Sequence, residues 1–338
     1  MKHSCLFLTS RGERHQHNAL DAAPREIEIT MRRDPARAEI LHVLPQMEFL
    51  ISERAGRIDA EMIAAGRNLK LIQRLGSQTW DIDLDAARRA QIPVCYLPVQ
   101  ACAMVAEHMV LQMLATAKRA RELMQVIADA GNWGESQKCT EDYFAYNWSQ
   151  RKNILGLGGS TVGILGFGEI GIELARRLRG FDCKVLYVKR NRLPAHAEAD
   201  LRIEYALQAD VVARSDFICS LLPLYPETEM TVNADFIAAM KSGAILVHCG
   251  SGAIIDEDAL IEALRSRKIS GAALDTYNYE PMRANDPLRV FALDPMQNLF
   301  LTPHVAAGSG DGTYKGRTGD YRNIIATIQG KPLQYRLA

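Results

Sequence analysis

The stretch that most constrains the fold is Thr161-Val162-Gly163-Ile164-Leu165-Gly166-Phe167-Gly168-Glu169-Ile170-Gly171. A short apolar run leads into G-x-G-x-x-G, and behind it Ile170, Leu174, Ala175 and Leu178 recur at helical spacing. The pattern predicts strand, tight turn and helix, the fingerprint of a dinucleotide-binding β-α-β unit. Gly166 supplies the turn, Gly168 lets backbone approach a pyrophosphate, and Gly171 is expected to let the helix pack closely on the strand. Phe167, Glu169 and Ile170 complete the cofactor-binding turn, and the helix start points unpaired N–H groups at the phosphates. Glycines also collect in ordinary loops, so the weight comes from Lys184-Val185-Leu186-Tyr187-Val188, a second strand at the right remove.

Composition narrows the partners. Forty Lys and Arg balance forty Asp and Glu in 338 residues, which gives no electrostatic reason to expect nucleic acid or an anionic membrane surface. The length suffices for two domains, each with its own core. The seven cysteines are scattered, mostly within apolar runs, and lack the C-x-x-C pairing of a zinc site. They read as reduced core thiols, and no metal is expected. The Cys5–Leu8 run is too short for a signal peptide and no stretch approaches a membrane span, so a cytoplasmic protein acting on a small molecule is expected.

Residues 1 to about 100 alternate apolar runs (Cys5–Leu8, Phe49–Ile51, Leu69–Leu75, Val94–Leu97) with helical patterns over Ile58–Ala65 and Leu84–Ala90, a small α/β domain of its own. Its Gly76–Asp83 loop follows a strand and could present backbone N–H groups to a ligand, with Ser77, Gln78 and Thr79 as candidate substrate contacts; an ordinary strand-to-helix connection is the alternative. From Val105 to Val126 a helical pattern runs without internal glycine or proline, and Gly131 to Gly159 reads as an extended loop holding Trp133, Tyr143, Phe144, Tyr146 and Trp148. A long aromatic connection of that kind is a functional or interface element, or a surface loop tied down by its own rings.

Beyond the fingerprint, apolar runs at Phe217–Leu222, Ala244–Val247, Gly271–Leu274 and Leu299–Leu301 alternate with helical patterns at Asn233–Met240 and Asp256–Arg267. Such alternation implies a parallel, doubly wound sheet, whose ligands sit outside the carboxyl ends of its strands. The residues there are Leu222 and Pro223, His248 to Ser251, Asp275, and Thr302-Pro303-His304. His304 is the natural acid–base group, and a carboxylate such as Glu280 would stabilise a positively charged ring. Singly, His304 could equally cap a strand and Glu280 precede the Pro281 turn. At the end of the second nucleotide-domain strand, where an acidic residue would accept from the adenosine ribose of NAD, stand Lys189, Arg190, Asn191 and Arg192. A cationic cluster pairs instead with a 2′-phosphate, so NADP is expected over NAD, unless the turn is merely solvated.

The order of these motifs closely resembles the D-isomer-specific 2-hydroxyacid dehydrogenases. Besides the fingerprint, the resemblance rests on Leu222-Pro223-Leu224-Tyr225-Pro226-Glu227-Thr228, Gly252-Ala253-Ile254-Ile255-Asp256, Ala273-Leu274-Asp275, Glu280-Pro281 and Thr302-Pro303-His304. It extends to Gly76–Asp83 and Val105-Ala106-Glu107-His108. It implies two Rossmann-like doubly wound α/β domains. A nucleotide domain (105–301) would be inserted into a flavodoxin-like substrate domain (1–104 and 302–338), in a homodimer joined through the nucleotide domain. It also implies His304 as acid/base, Glu280 as its carboxylate partner, and Asp275 as a contact to the nicotinamide carboxamide. The expected activity is hydride transfer between a nicotinamide cofactor and a 2-hydroxyacid/2-oxoacid or related alcohol/carbonyl pair.

One departure stands out. Where the family pattern N-T-[AS]-R-G supplies an arginine for the substrate's carboxylate and carbonyl, this chain has His248-Cys249-Gly250-Ser251-Gly252. Ser251 takes the arginine's catalytic place, with Arg283 the nearest substitute cation in sequence. Ala101 and the Gln78/Trp80 loop depart as well. Either the substrate is unusual, or the chain is a non-catalytic nucleotide-binding scaffold or sensor.

Overall fold

The computed structural model describes residues 2–54, 56–129, 131, 133–308 and 317–338. The chain divides into two compact units, residues 1–103 with 308–338 and residues 104–307.

The first unit runs β1 (His3–Thr9), α1 (Glu13–Asp21), β2 (Ile27–Arg33), α2 (Arg37–Val43), β3 (Phe49–Glu53), α3 (Ala60–Ala65), β4 (Leu71–Leu75), α4 (Leu84–Arg89) and β5 (Val94–Leu97). The five strands pair with one another in parallel throughout, in the order β2-β1-β3-β4-β5, the flavodoxin-like arrangement. Because strand side chains alternate, Leu6, Leu50, Ile72 and Val94 enter one buried layer while Cys5, Phe7, Phe49, Ile51 and Leu71 enter the other. Asp59 and Asp83 cap α3 and α4, their side chains accepting from Met62 N and Ala86 N.

Helix α5 (Gln100–Ala117) carries the chain into the second unit. There follow α6 (Ala120–Ala128), β6 (Thr161–Leu165), α7 (Glu169–Leu178), β7 (Lys184–Val188), α8 (Ala195–Leu201), β8 (Ile203–Tyr205), α9 (Gln208–Arg214) and β9 (Phe217–Ser220). Then come α10 (Ala234–Ala239), β10 (Ile245–His248), α11 (Glu257–Arg265), β11 (Gly271–Leu274), α12 (Pro287–Ala292) and β12 (Leu299–Leu301); α13 (Arg322–Ile328) belongs to the first unit. The seven-stranded sheet has the order β12-β11-β10-β9-β6-β7-β8, so the strand order reverses between β6 and β9. A doubly wound sheet binds its nucleotide at such a point.

Two expectations change. The uninterrupted helix over 105–126 breaks between α5 and α6, where Arg119 adopts a left-handed φ of 53°. There it pairs with the buried Glu122 and donates to Met296 O at 3.3 Å, the second a long-range contact that no local propensity encodes. The boundary near 302 moves to 307/308, because Asp275 holds Thr302, Val305 and Ala306 in the second unit. The 131–159 segment has no regular secondary structure among its described residues, and its aromatics are exposed, Tyr146 at 87% and Phe144 at 68%.

Candidate active site

In the second unit the fingerprint closes as a tight turn. Gly166 has φ of 86°, and a Cβ there would stand 2.8 Å from Leu221 O, so a side chain is excluded twice over. Gly168 precedes α7, and a Cβ on it would meet nothing within 4 Å. A side chain there would fill the space before the helix N-terminus, so the turn fits a pyrophosphate. Gly171 differs from expectation: its Cβ would meet the Phe167 ring at 3.0 Å, so its smallness makes room for that ring rather than for the strand. Phe167 is itself buried, 4.7 Å from the Tyr187 ring, and its N–H donates to Val188 O. Glu169 and Ile170 open α7, Glu169 buried in its first turn.

Lys189, Arg190 and Arg192 follow β7. Arg192 forms two parallel bonds to Glu198, at 2.8 and 2.7 Å, and lies over Tyr205. That guanidinium, helped by the Tyr187 hydroxyl, holds the Glu198 carboxyl below its usual range. Arg190 lies 5.8 Å over the ring of Tyr225, in the loop begun by Leu222 and Pro223. The three cations expected to act together are therefore divided: Arg192 is committed to α8.

The acid–base candidates converge. His304 Nδ1 lies 2.6 Å from Glu280 Oε2, and Glu280 Oε1 accepts from Tyr277 N at 3.0 Å. His304 has a left-handed φ of 52°, and its side chain is 59% exposed, so the backbone turns the ring outward from the sheet end. Asp275, 1% exposed, is held from within: Oδ1 accepts from Thr302 Oγ1 (2.6 Å) and Val305 N (3.0 Å), Oδ2 from Ala306 N (2.8 Å). It fixes the turn that presents His304.

Two members of this arrangement carried no role in the sequence reading. His108 on α5 has Nε2 3.0 Å from Thr302 Oγ1, which itself donates to Asp275; burial lowers its pKa against the pull of Asp275. Tyr277 donates to Thr302 O at 2.7 Å. The Val105–His108 motif was a signal for His108, whereas nothing in the spacing marks Tyr277. A groove of about 680 Å³ is lined by Tyr277, Glu280, Met282, Arg289, Leu301 and His304 among others. Arg283 is not on its wall; it stacks 5.9 Å over Tyr279. Arg289 is the guanidinium that borders the groove.

Ser251 is used locally. Its Oγ accepts from Leu224 N at 3.1 Å, its N–H donates to Leu222 O at 3.1 Å, and its carbonyl accepts from His248 Nε2 at 3.1 Å. Gly252 cannot be replaced: a Cβ there would stand 1.8 Å from Tyr277 O.

In the first unit, Ser77, Gln78 and Thr79 lie in the loop after β4, Ser77 buried. The fully buried Arg74 anchors that loop through Asp81 at 2.9 Å and Gly56 O at 2.7 Å.

Residues 110–306 match the family model for the NAD-binding domain of D-isomer specific 2-hydroxyacid dehydrogenases. The chain belongs to that family. It is 32% identical to hydroxypyruvate reductase of Thermotoga maritima over 85% of this chain and 86% of that protein. It is also 32% identical to glyoxylate reductase of Thermococcus kodakarensis, over 94% and 89%. A solved glyoxylate reductase from Paecilomyes thermophila superposes with a TM-score of 0.52 at 26% identity, covering 99% of this chain and 98% of that one. As a member of the family the chain is an enzyme, a nicotinamide-dependent oxidoreductase of 2-hydroxyacid/2-oxoacid pairs. The scaffold alternative, which rested on Ser251 together with Ala101 and the Gln78/Trp80 loop, gives way to that assignment.

Proposed function

We propose that the protein is an NADPH-preferring reductase of small 2-oxoacids, and that His304 is its proton donor. The observation that carries this reading is the 2.6 Å bond between His304 Nδ1 and Glu280 Oε2. It leaves Nε2 to face a ligand and gives the ring a carboxylate behind it. A bound nicotinamide would supply the hydride. His304 Nε2–H would deliver the proton to the carbonyl oxygen as charge develops there, and Glu280 would hold the ring in one tautomer and stabilise its charged form.

Gly166, Gly168 and the start of α7 would hold the pyrophosphate, with Leu222 and Pro223 bordering the nucleotide. Lys189 and Arg190 would pair with a 2′-phosphate, and this pair supports the NADP preference. Asp275 would act chiefly by fixing the His304 turn; the carboxamide contact implied by the resemblance would use Oδ2, which accepts one bond here. Ser77, Gln78 and Thr79 remain the proposed substrate loop, and Ser251 offers a hydroxyl where a guanidinium would stand. Glyoxylate and hydroxypyruvate, named for the relatives, are the first substrates to try.

A homodimer through the nucleotide domain is part of the same reading. The exposed Met124 (73%) and Ile127 (66%) of α6, with the exposed aromatics of 131–159, support it. Steady-state reduction of glyoxylate, hydroxypyruvate and pyruvate with NADPH and with NADH tests the activity; no turnover of any pair by a protein that binds NADPH would reject it. A monomer mass by light scattering at micromolar concentration would reject the dimer.

A further inference from the structure

Thr302 Oγ1 stands among three polar groups of the second unit: Asp275 Oδ1 at 2.6 Å, His108 Nε2 at 3.0 Å and Leu274 O at 3.5 Å. A threonine hydroxyl has one hydrogen to give. The carboxylate takes it: the 2.6 Å contact has the length of a charge-assisted O–H···O⁻ bond, and the 3.5 Å contact to Leu274 O is too long to compete. Were the hydrogen turned to the ring instead, a hydroxyl lone pair would face the carboxylate oxygen at that short distance with no proton between them. The ring therefore donates. Its Nε2–H points at Thr302 Oγ1, and the bonds run in one direction, from His108 to Thr302 to Asp275.

That direction fixes the form of the ring. Among the described residues Nδ1 of His108 has no partner, so the contact with Thr302 decides which nitrogen carries the proton. The side chain is 12% exposed, and burial lowers its pKa against the pull of Asp275, whose Oδ1 lies 3.7 Å from Nε2. Near neutral pH it is an uncharged imidazole with its hydrogen on Nε2.

At the far end of the chain is the turn that carries His304. Asp275 accepts from Val305 N and Ala306 N, just after it. Thr302, two residues before it, accepts through its carbonyl from His304 N at 3.0 Å and from the Tyr277 hydroxyl at 2.7 Å. The Thr302–Asp275 bond thus ties the two sides of the turn together. A hydroxyl with no donor behind it is free to swing toward Leu274 O, and the tie is then lost. His108, on α5 and 194 residues away in sequence, is the donor that holds it.

We propose that His108 is a positioning residue of the active site: its Nε2–H heads a His108–Thr302–Asp275 chain that holds the backbone on both sides of His304. Only the kinetic consequence rests on the reading of His304 as proton donor; the chain itself is tested without turnover.

Imidazole ¹H–¹⁵N NMR of the full-length protein, with the His108 signals assigned by their loss in His108→Gln, reads the tautomer directly. At neutral pH Nε2 is expected to be protonated and Nδ1 not, with the Nε2–H resonance shifted in Thr302→Val and retained in Thr302→Ser. Single-turnover oxidation of NADPH by glyoxylate reads the consequence. His108→Leu should slow it by about ten- to a hundred-fold, the order of loss that follows from misplacing a reacting group, with NADPH affinity within a few-fold. His108→Gln keeps an N–H near the place of Nε2 and should recover most of the rate. Thr302→Val should match His108→Leu, and the two together should lose no more than either alone, because both act through one chain of bonds. A proton on Nδ1, a resonance indifferent to Thr302→Val, or a His108→Gln enzyme as slow as His108→Leu overturns the proposal. So does a folded His108→Leu enzyme within about two-fold of wild type. The wild-type spectrum and the two Thr302 variants decide even where His108→Leu does not fold. If the spectra are as stated while His304→Ala leaves the rate unchanged, the chain stands and the reading of His304 as proton donor fails.

Discussion

Glu280 uses its two oxygens for different tasks: Oε2 meets His304 Nδ1 at 2.6 Å and Oε1 accepts the backbone N–H of Tyr277 at 3.0 Å. Tyr277 in turn donates its hydroxyl to Thr302 O, two residues before His304. The carboxylate therefore fixes the ring directly, and the chain that carries the ring through Tyr277.

Removing the donor should be far costlier than weakening its support. His304→Ala is expected to lower kcat by about 10²–10⁴-fold, the usual worth of a positioned acid. Glu280→Gln retains an acceptor for Nδ1–H but loses the charge, so a loss of about ten- to a hundred-fold is expected, from the 1.5–3 kcal/mol attached to hydrogen bonds with charged partners. Stopped-flow single-turnover rates separate this from product release. A His304→Ala enzyme within ten-fold of wild type would show that the proton comes from elsewhere.

Most of the fold was legible because its strands are buried on both faces and so read as continuous apolar runs, as at Phe49–Ile51 and Phe217–Leu222. The strands that escaped notice are β2, Ile27-Glu28-Ile29-Thr30-Met31-Arg32-Arg33, and β8, Ile203-Glu204-Tyr205, both edge strands whose side chains are only partly covered. Polar edges protect a sheet from further pairing and erase the hydrophobic signal. At the site, residues sitting on motifs could be named from the sequence. Asp275 holding the His304 turn, Arg192 held by Glu198 and Arg289 on the groove wall could not, because each depends on partners that only the fold brings close.

Cofactor discrimination should follow the division among the basic residues. Arg190→Ala is expected to weaken NADPH by about ten- to a hundred-fold relative to NADH, the worth of a charge-assisted pair with the 2′-phosphate. Arg192→Ala should alter that ratio much less, since its guanidinium already serves Glu198, and should lower thermal stability instead. Fluorescence titration with both cofactors decides; a larger change in the ratio from Arg192→Ala would reassign the phosphate contact.

Ser251→Arg supplies a guanidinium where the family pattern has one and removes an acceptor from Leu224 N. Polarisation of the substrate carbonyl should raise kcat/KM for glyoxylate by about ten-fold or more, given that single oxyanion donors are worth about 10²-fold. The lost bond should cost about 1 kcal/mol of stability. Ser251→Ala, which loses the same bond and adds nothing, should melt lower and show no gain. If the arginine variant folds and leaves kcat/KM unchanged, the substrate carbonyl does not lie near residue 251.

His248 makes the second unit sensitive to acid. It is fully buried at the end of β10 with Nε2 donating to Ser251 O, and burial pulls its pKa down to about 4 against the opposing effect of the Ser251 and Ser220 carbonyls. In the unfolded chain the same ring titrates near its ordinary value of about 6.5. Below that value the unfolded state takes up a proton that the folded state refuses, so stability falls as pH drops from about 6.5 to about 4 and changes no further below it. The full loss is on the order of 3 kcal/mol, from about 1.4 kcal/mol per pKa unit. Replacing the ring by an amide that can still donate, His248→Asn, removes the titration. Urea unfolding of wild type and His248→Asn at intervals from pH 7 to pH 4 should show curves that diverge below pH 6.5, the wild type losing stability more steeply. Parallel curves across that window would mean that the ring is protonated in the folded protein or stays shielded in the unfolded one.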